Sequence, residues 1–181
     1  MLNHENTVFV LVDVQGKLSK IVHDSERVIG NLSTLIQGLD ILHIPILWLE
    51  QYPEGLGKTN EALSTYLTGA GLEAIHKITF NAAKNQTFMD ALETTKRSQI
   101  LIAGIETHIC VYQTAAGLKS WGYEVEVVAD AVSSRTNCNK EIGLQKMREL
   151  GILTSSVEMA LYELMETADG QHFKDILPLL K

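Results

Sequence analysis

The chain has 181 residues, 45% of them hydrophobic, and a formal net charge of −7. This length suits one domain with a substantial core, so we expect residues 1–181 to form a single domain. Nucleic-acid binding depends on clusters of Lys and Arg, and no segment shows one, so nucleic acid is not expected as a partner. No apolar run reaches the roughly 18 residues that a membrane-spanning helix needs, so no membrane contact is expected either.

The N-terminal segment and the cysteine content favour a cytoplasmic location. Residues 1–15 carry no basic region, and their short apolar run ends in an aspartate, which is typical of a buried strand rather than a signal peptide. The two cysteines, Cys110 and Cys138, are too few for a disulfide scaffold, which favours a reducing compartment. The six histidines lack the spacing of a zinc site, so we expect neither a metal nor another cofactor.

Short apolar runs alternate along the chain with longer amphipathic segments. Residues 7–14 (TVFVLVDV) and 44–50 (IPILWLE) predict the first two strands, and apolar residues at helical spacing between 28 and 39 predict the connecting helix. The turn-rich segment that follows, QYPEGLGKT, is expected to be a binding loop. The remaining predicted elements are strands at 74–80, 99–104, 124–128 and 153–155, and helices at 86–96, 107–121, 140–150, 157–165 and 173–180.

This alternation predicts the α/β class: a three-layer α/β/α, doubly wound fold with a six-stranded parallel sheet. The dinucleotide fingerprint GxGxxG is absent after the first strand, where VDVQGK stands, and the P-loop pattern is missing as well. Such a fold therefore lacks the phosphate cradle of a nucleotide-binding protein. Ligands of open α/β sheets bind beyond the carboxyl ends of the strands, so polar residues that interrupt the apolar runs at these ends are candidate site residues.

Three residues meet that description. Asp13 ends the first strand, where a carboxylate has to be paired or partly solvated; alternatively, it caps the turn at residues 15–16. Lys77 lies inside AIHKITF, where an unpaired lysine is rare; alternatively, it faces water from an edge strand or forms a structural ion pair. Cys110 follows the fourth strand in the first turn of a helix that Thr107 can cap. The N–H groups there would lower the thiol pKa and hold an oxyanion; alternatively, Cys110 is a small buried hydrophobe.

Together the three residues supply the base, the cation and the nucleophile of an acyl-transfer site, provided that they converge. With Asp in VLVDVQGK, Lys in HKITFNA and Cys in GIETHIC, the sequence resembles the isochorismatase-like cysteine hydrolases over essentially the whole chain. It is most similar to the isochorismatase domain-containing proteins, in the segments LEQYPEGLGKT, GIETHICVYQTA, VVADAVSSR and HFKDILPLLK.

The resemblance implies an Asp13–Lys77–Cys110 triad that hydrolyses a small amide-like or related carbonyl compound through a thioester. It also implies a cis peptide around Ile105 and Glu106 and an oxyanion hole made by the backbone N–H groups of Ile109 and Cys110. Members of the superfamily usually self-associate, so the resemblance implies a homo-oligomer as well.

Two departures from the family pattern narrow the expected chemistry. Nicotinamidases place an aspartate and histidines as metal ligands after the second strand, but here Glu50, Gln51 and Tyr52 follow and the next histidine is His76. Neither a metal nor nicotinamidase activity is therefore expected. True isochorismatases cleave a vinyl ether without depending on a cysteine, so Cys110 favours thioester chemistry.

Five further residues are candidates for contact with the substrate: Glu50, Tyr52, Phe80, Glu106 and His108. The alternatives are a plain surface turn for the first two, a core position for Phe80 and helix capping for His108. Arg135 is interpreted as a structural or subunit contact. Two other functions stay open. A catalytically lapsed member could act as a binding or scaffold protein, although it has no reason to keep a buried lysine. A flavodoxin-like nucleotide-binding protein is disfavoured by the missing phosphate loop.

Overall fold

The computed structural model describes residues 1–181 and contains one sheet of six strands. Every pair of neighbouring strands in it is parallel. The strands are β1 (Thr7–Val12), β2 (Ile46–Gln51), β3 (Ala74–Lys77), β4 (Gln99–Ile105), β5 (Glu124–Ser133) and β6 (Leu153–Ser155). Their order is β3-β2-β1-β4-β5-β6, so the chain builds outward from β1 to β3, returns to the centre, and builds outward again from β4. The predicted doubly wound α/β fold is confirmed.

Nine helices connect and flank these strands. They are α1 (Leu18–Ile21), α2 (Ser25–Ile41), α3 (Pro53–Leu56), α4 (Glu61–Gly69), α5 (Gln86–Thr95), α6 (Tyr112–Ser120), α7 (Asn137–Glu149), α8 (Val157–Met165) and α9 (Gln171–Ile176). Helix α2 packs against α4, α8 and α9, whereas α6 packs against α7, so the helices form two groups, as layers on two faces of a sheet do. None of them is both long enough and apolar enough to cross a bilayer.

Strand β1 lies at the centre of the core. All of its residues, Thr7–Val12, are buried, and β2 and β4 pair with it on either side. A strand covered on both faces has no solvent side, which explains why its sequence is almost continuously apolar rather than alternating. Around it, 48 buried apolar residues form the core.

The structure differs from the predicted elements in several regions, and the short helices α1 and α3 were not predicted. Helix α4 was not predicted, because its only buried side chains are Leu63 and Leu67, a single pair at helical spacing. Strand β3 ends at Lys77 instead of residue 80. Strand β5 continues to Ser133 instead of residue 128, because it pairs with the end of β4 again after a shift in register. The helix predicted at 107–121 is divided into a π-helical turn, Thr107–Val111, and α6.

Gly104 allows β1 and β4 to approach each other closely at their carboxyl ends. Its φ of +122° suits glycine, and a Cβ at this position would lie 2.1 Å from the carbonyl oxygen of Val12. The two strands therefore end side by side at the point where the strand order reverses. This is the edge at which the predicted site residues lie.

Candidate active site

Asp13 and Lys77 form a buried ion pair at the carboxyl edge of the sheet. Asp13 follows β1 with a φ of 51°, a left-handed conformation that aspartate tolerates better than most residues, and Lys77 ends β3. Lys77 Nζ lies 2.7 Å from Asp13 Oδ2, and the lysine side chain is 0% exposed. Although β3 is an edge strand, its lysine therefore points to Asp13 and not to water.

The ammonium group of Lys77 has no hydrogen-bond donor left for a substrate. It donates to Asp13 Oδ2, to Gln51 Oε1 at 2.7 Å and to the carbonyl of Thr79 at 3.3 Å. An ammonium group has three N–H donors, and all three are occupied. Lys77 can therefore act through its charge and its hold on Asp13.

Gln15 and Gln51 connect the segments that follow β1, β2 and β3. Gln15 Nε2 donates to the carbonyls of Gln51 at 3.1 Å and Gly57 at 2.7 Å, and Gln15 Oε1 accepts from the Gln51 backbone N–H at 2.7 Å. Gln51 Nε2 in turn donates to the carbonyl of Ile78 at 2.5 Å. The sequence prediction missed both glutamines; their only signal was a neutral polar residue beside a buried run.

Cys110 lies in the π-helical turn after β4, next to Asp13. The turn follows a cis peptide bond between Ile105 and Glu106, at the expected place. The thiol and the Asp13 carboxyl are close enough to shift each other's pKa, and Asp13 Oδ1 accepts no hydrogen bond within the protein. The fold thus brings Asp13, Lys77 and Cys110 together.

The pKa values of the carboxyl and the thiol are both raised. Burial raises the pKa of Asp13 by more than the Lys77 ammonium lowers it. Burial also raises the pKa of the Cys110 thiol, and the negative charge of Asp13 raises it further. The expectation that the start of the helix would lower the thiol pKa is therefore wrong. The expected cap by Thr107 is wrong too, because its hydroxyl oxygen has no hydrogen-bond partner.

A small cavity of about 100 Å³ opens at the thiol. Its lining consists of Asp13, Leu18, Gln51, Leu56, Phe80, Ile105, Glu106, Ile109 and Cys110. The side chains of Leu56 and Phe80 are 43% and 54% exposed, so they form its mouth. Two of the predicted substrate contacts, Phe80 and Glu106, thus line this cavity beside Cys110.

The other three predicted substrate contacts do not line the cavity. Glu50 Oε1 accepts from the backbone N–H and the hydroxyl of Thr59, both at 2.7 Å, and so holds the loop after β2. Tyr52 is half exposed, and His108 Nδ1 lies 3.0 Å from the hydroxyl of Ser134. In this geometry Glu50 and His108 bind other parts of the chain.

The two predicted oxyanion donors differ in their surroundings. The Ile109 N–H donates to the carbonyl oxygen of Glu106 at 3.0 Å, so as it stands this group is not available to an oxyanion. The side chain of Glu106 is held by Arg135, whose backbone N–H and Nε both donate to Oε2, at 2.8 and 3.2 Å. Of the two predicted donors, the Cys110 N–H is the stronger candidate.

Comparisons with known proteins place these observations in a family. A model of the isochorismatase domain matches residues 7–159. The chain is 32% identical to the secreted isochorismatase effector Isc1 of Phytophthora sojae, over 100% of this chain and 87% of that protein. It is also 32% identical to isochorismatase domain-containing protein 2 of Danio rerio, over 99% of this chain and 89% of that protein.

Solved structures show the same fold. The MAR1 ribonuclease of Caenorhabditis elegans matches with a TM-score of 0.89 at 30% identity, over 99% of this chain and 91% of that chain. The YcaC gene product of Escherichia coli, described as an octameric hydrolase of unknown specificity, matches with a TM-score of 0.92 at 22% identity, over 99% and 88%. At this lower identity the second match supports the fold alone.

Proposed function

The chain belongs to the isochorismatase family, and from that premise we propose that it is a cysteine-dependent hydrolase with Asp13, Lys77 and Cys110 as its catalytic triad. The observation that carries this proposal is that Cys110 and Asp13 lie together in the wall of one cavity. Asp13 Oδ1 accepts no hydrogen bond from the protein, so this oxygen is available to take a proton. Apolar residues in place of a buried ion pair would give similar stability, so folding alone does not require both Asp13 and Lys77.

In the proposed reaction, Asp13 takes the thiol proton while Cys110 Sγ attacks the carbonyl carbon of a small amide. A carbon–sulfur bond forms, and the carbonyl electrons move to the oxygen, which the Cys110 N–H stabilises. The tetrahedral intermediate then breaks its carbon–nitrogen bond, and Asp13 returns the proton to the departing nitrogen. An amine leaves, and a thioester remains on Cys110.

Water completes the cycle. Asp13 takes a proton from the water molecule while the water oxygen attacks the thioester, and the carbon–sulfur bond breaks as the thiol regains its proton. The net reaction converts an amide and water into a carboxylic acid and an amine. No metal takes part in these steps, and no three His, Cys, Asp or Glu side chains lie together as metal ligands.

The pH dependence of Cys110 alkylation by iodoacetamide tests the triad. If Asp13 is the base, the rate rises as Asp13 loses its proton, at a pH above the ordinary carboxyl value of about 4 because burial raises that pKa, and becomes level once Asp13 is ionised. Asp13→Asn removes the base and leaves a thiol whose pKa burial raises, so the rate at pH 7 is expected to fall about 100-fold. Peptide mass spectrometry measures Cys110 separately from the exposed Cys138.

Asp169→Asn, at an exposed carboxyl group, is the matched control and should leave the profile unchanged. The triad is contradicted if the alkylation rate of Cys110 follows the titration of a free thiol, with a pKa of about 8.5, in the wild type and in Asp13→Asn alike.

The name of the Caenorhabditis elegans structure raises RNA as a substrate, but the cavity lining contains no Lys or Arg, so it suits a phosphodiester less well than a small carbonyl compound. A homo-oligomer stays a prediction. So does a cytoplasmic location, since the Phytophthora sojae relative is named a secreted effector.

A further inference from the structure

The carboxylate of Glu106 is the polar group of the cavity that the proposed mechanism does not use. Glu106 is 6% exposed and lines the cavity beside Cys110. Its Oε2 accepts both hydrogen bonds from Arg135, whereas Oε1 has no partner within the protein. The negative charge of Glu106 also contributes to the raised pKa of Cys110, so the two groups interact electrostatically.

The cavity presents hydrogen-bond acceptors and no unoccupied cation. The ammonium of Lys77 has already used its three donors. Arg135 approaches Glu106 from the solvent side, since the arginine side chain is 57% exposed and is not part of the lining. The two oxygens left over are acceptors, Asp13 Oδ1 and Glu106 Oε1. An anion bound in the cavity would lie near the buried Glu106 carboxylate, and no cation in the lining would pair with the anion.

The volume of the cavity restricts what reaches the thiol. It measures about 100 Å³, which is small beside the roughly 300–1,000 Å³ of most ligand pockets. A carbonyl group with its neighbouring nitrogen fits in that space. Any larger part of a substrate has to extend past Leu56 and Phe80, the two exposed side chains at the mouth.

Resting on the proposed function, we propose that Glu106 is a specificity-determining residue that selects uncharged amides bearing an N–H and rejects carboxylates of the same size. The amide nitrogen donates an N–H to Glu106 Oε1, which orients the carbonyl carbon toward Cys110. A carboxylate has no such donor and repels Glu106. Arg135 balances part of the Glu106 charge and so moderates the rejection.

Two alkylating reagents of nearly equal size test this selection directly. Iodoacetamide carries a primary amide and iodoacetate a carboxylate, and with each the cysteine sulfur forms a bond to carbon while iodide leaves. We take the iodoacetamide rate over the iodoacetate rate at Cys110 and divide it by the same ratio at the exposed Cys138. This divided ratio isolates the effect of the cavity. We expect the divided ratio to favour iodoacetamide by roughly tenfold or more.

Three variants assign the effect. Glu106→Gln removes the charge and keeps the shape, so the divided ratio should fall toward one. Arg135→Gln leaves the Glu106 charge unbalanced, so the ratio should rise at least about threefold; this variant also serves if Glu106→Gln does not fold. Glu54→Gln, at an exposed residue of α3, is the matched control and should leave the ratio unchanged.

The outcomes separate this inference from the proposed function. A divided ratio near one in the wild type, or one that Glu106→Gln and Arg135→Gln leave unchanged, overturns the role of Glu106 alone. If Cys110 reacts with neither reagent while Cys138 reacts with both, the proposed hydrolase is contradicted, and the substrate class falls with it.

Discussion

Lys77 and Asp13 carry opposite charges in a place from which water is excluded, since their side chains are 0% and 4% exposed. Burying such a pair costs about as much in desolvation as the attraction between the charges returns, so losing one partner is far worse than losing both. The raised pKa of Asp13 has the same origin. The folded state holds the Asp13 proton more tightly than the unfolded state does. The free energy of unfolding therefore falls as the pH rises from the ordinary pKa of Asp13 to its raised pKa.

Lys77→Met should lower the free energy of unfolding at pH 7 by about 3–5 kcal/mol, because it leaves the Asp13 charge buried without its partner. The double variant Asp13→Asn/Lys77→Met should recover most of that loss, since neither charge is then present. Urea denaturation of the wild type, both single variants and the double variant measures the coupling. Lys58→Met, at an exposed lysine, is the control, and additive losses in the double variant would contradict the prediction.

Charge is what made two residues of the proposed triad, Asp13 and Lys77, predictable from the sequence. Asp13 and Lys77 stand out because a charged residue interrupts an apolar strand, and the position of Cys110 follows from the end of the strand before it. Gln15 gave no comparable signal, since a neutral amide beside a strand is common. The pairing of Glu106 with Arg135 joins residues 29 positions apart, and no local pattern encodes a contact of that kind.

At the scale of whole elements, α7 packs closely against the π-helical turn that carries the thiol. A Cβ on Gly143 would lie 2.9 Å from His108 Cα, so the helix packs directly against the backbone that carries Cys110. The closest atoms are backbone atoms, which cannot turn aside as the end of a flexible side chain can. A larger residue at position 143 has to displace the turn or the helix.

Gly143→Ala is expected to slow the alkylation of Cys110 at least about tenfold, because the turn moves away from Asp13, and to destabilise the protein by about 1–3 kcal/mol. Gly30→Ala in α2 is the control, since nothing lies within 4 Å of its added Cβ. This control should stabilise the protein by up to about 1 kcal/mol and leave the alkylation rate unchanged. Equal rates in Gly143→Ala and the wild type would show that the contact does not position the thiol.

Some elements are encoded in the local sequence, and others depend on contacts with distant parts of the chain. Strand β1 was predicted because a buried central strand is a continuous apolar run, and β6 because a short run stands between two helices. The continuation of β5 to Ser133 depends on its pairing with β4 across a register shift. The π-helical turn packs against α7, which comes later in the chain. Neither of these features shows in the local sequence pattern.

At the scale of the whole molecule, large apolar side chains are exposed on the segments that follow β2 and β3. They are Tyr52, Leu56, Ile78 and Phe80, and two of them, Leu56 and Phe80, line the cavity. A homo-oligomer of the kind that the family resemblance implies would cover such side chains. Sedimentation velocity over a range of concentrations is therefore expected to give a mass that is a multiple of 20.0 kDa. A single species at the monomer mass throughout would contradict the prediction.

The site divides into a deep part and a superficial part, and this division has an evolutionary consequence. The three residues of the proposed triad are buried at or shortly after strand ends, where most substitutions cost stability, whereas Leu56 and Phe80 at the mouth are about half exposed. Mutation can therefore reshape the entrance at little cost to folding while the proposed reacting groups stay fixed. In this way the proposed chemistry can be kept while the compounds that reach it change.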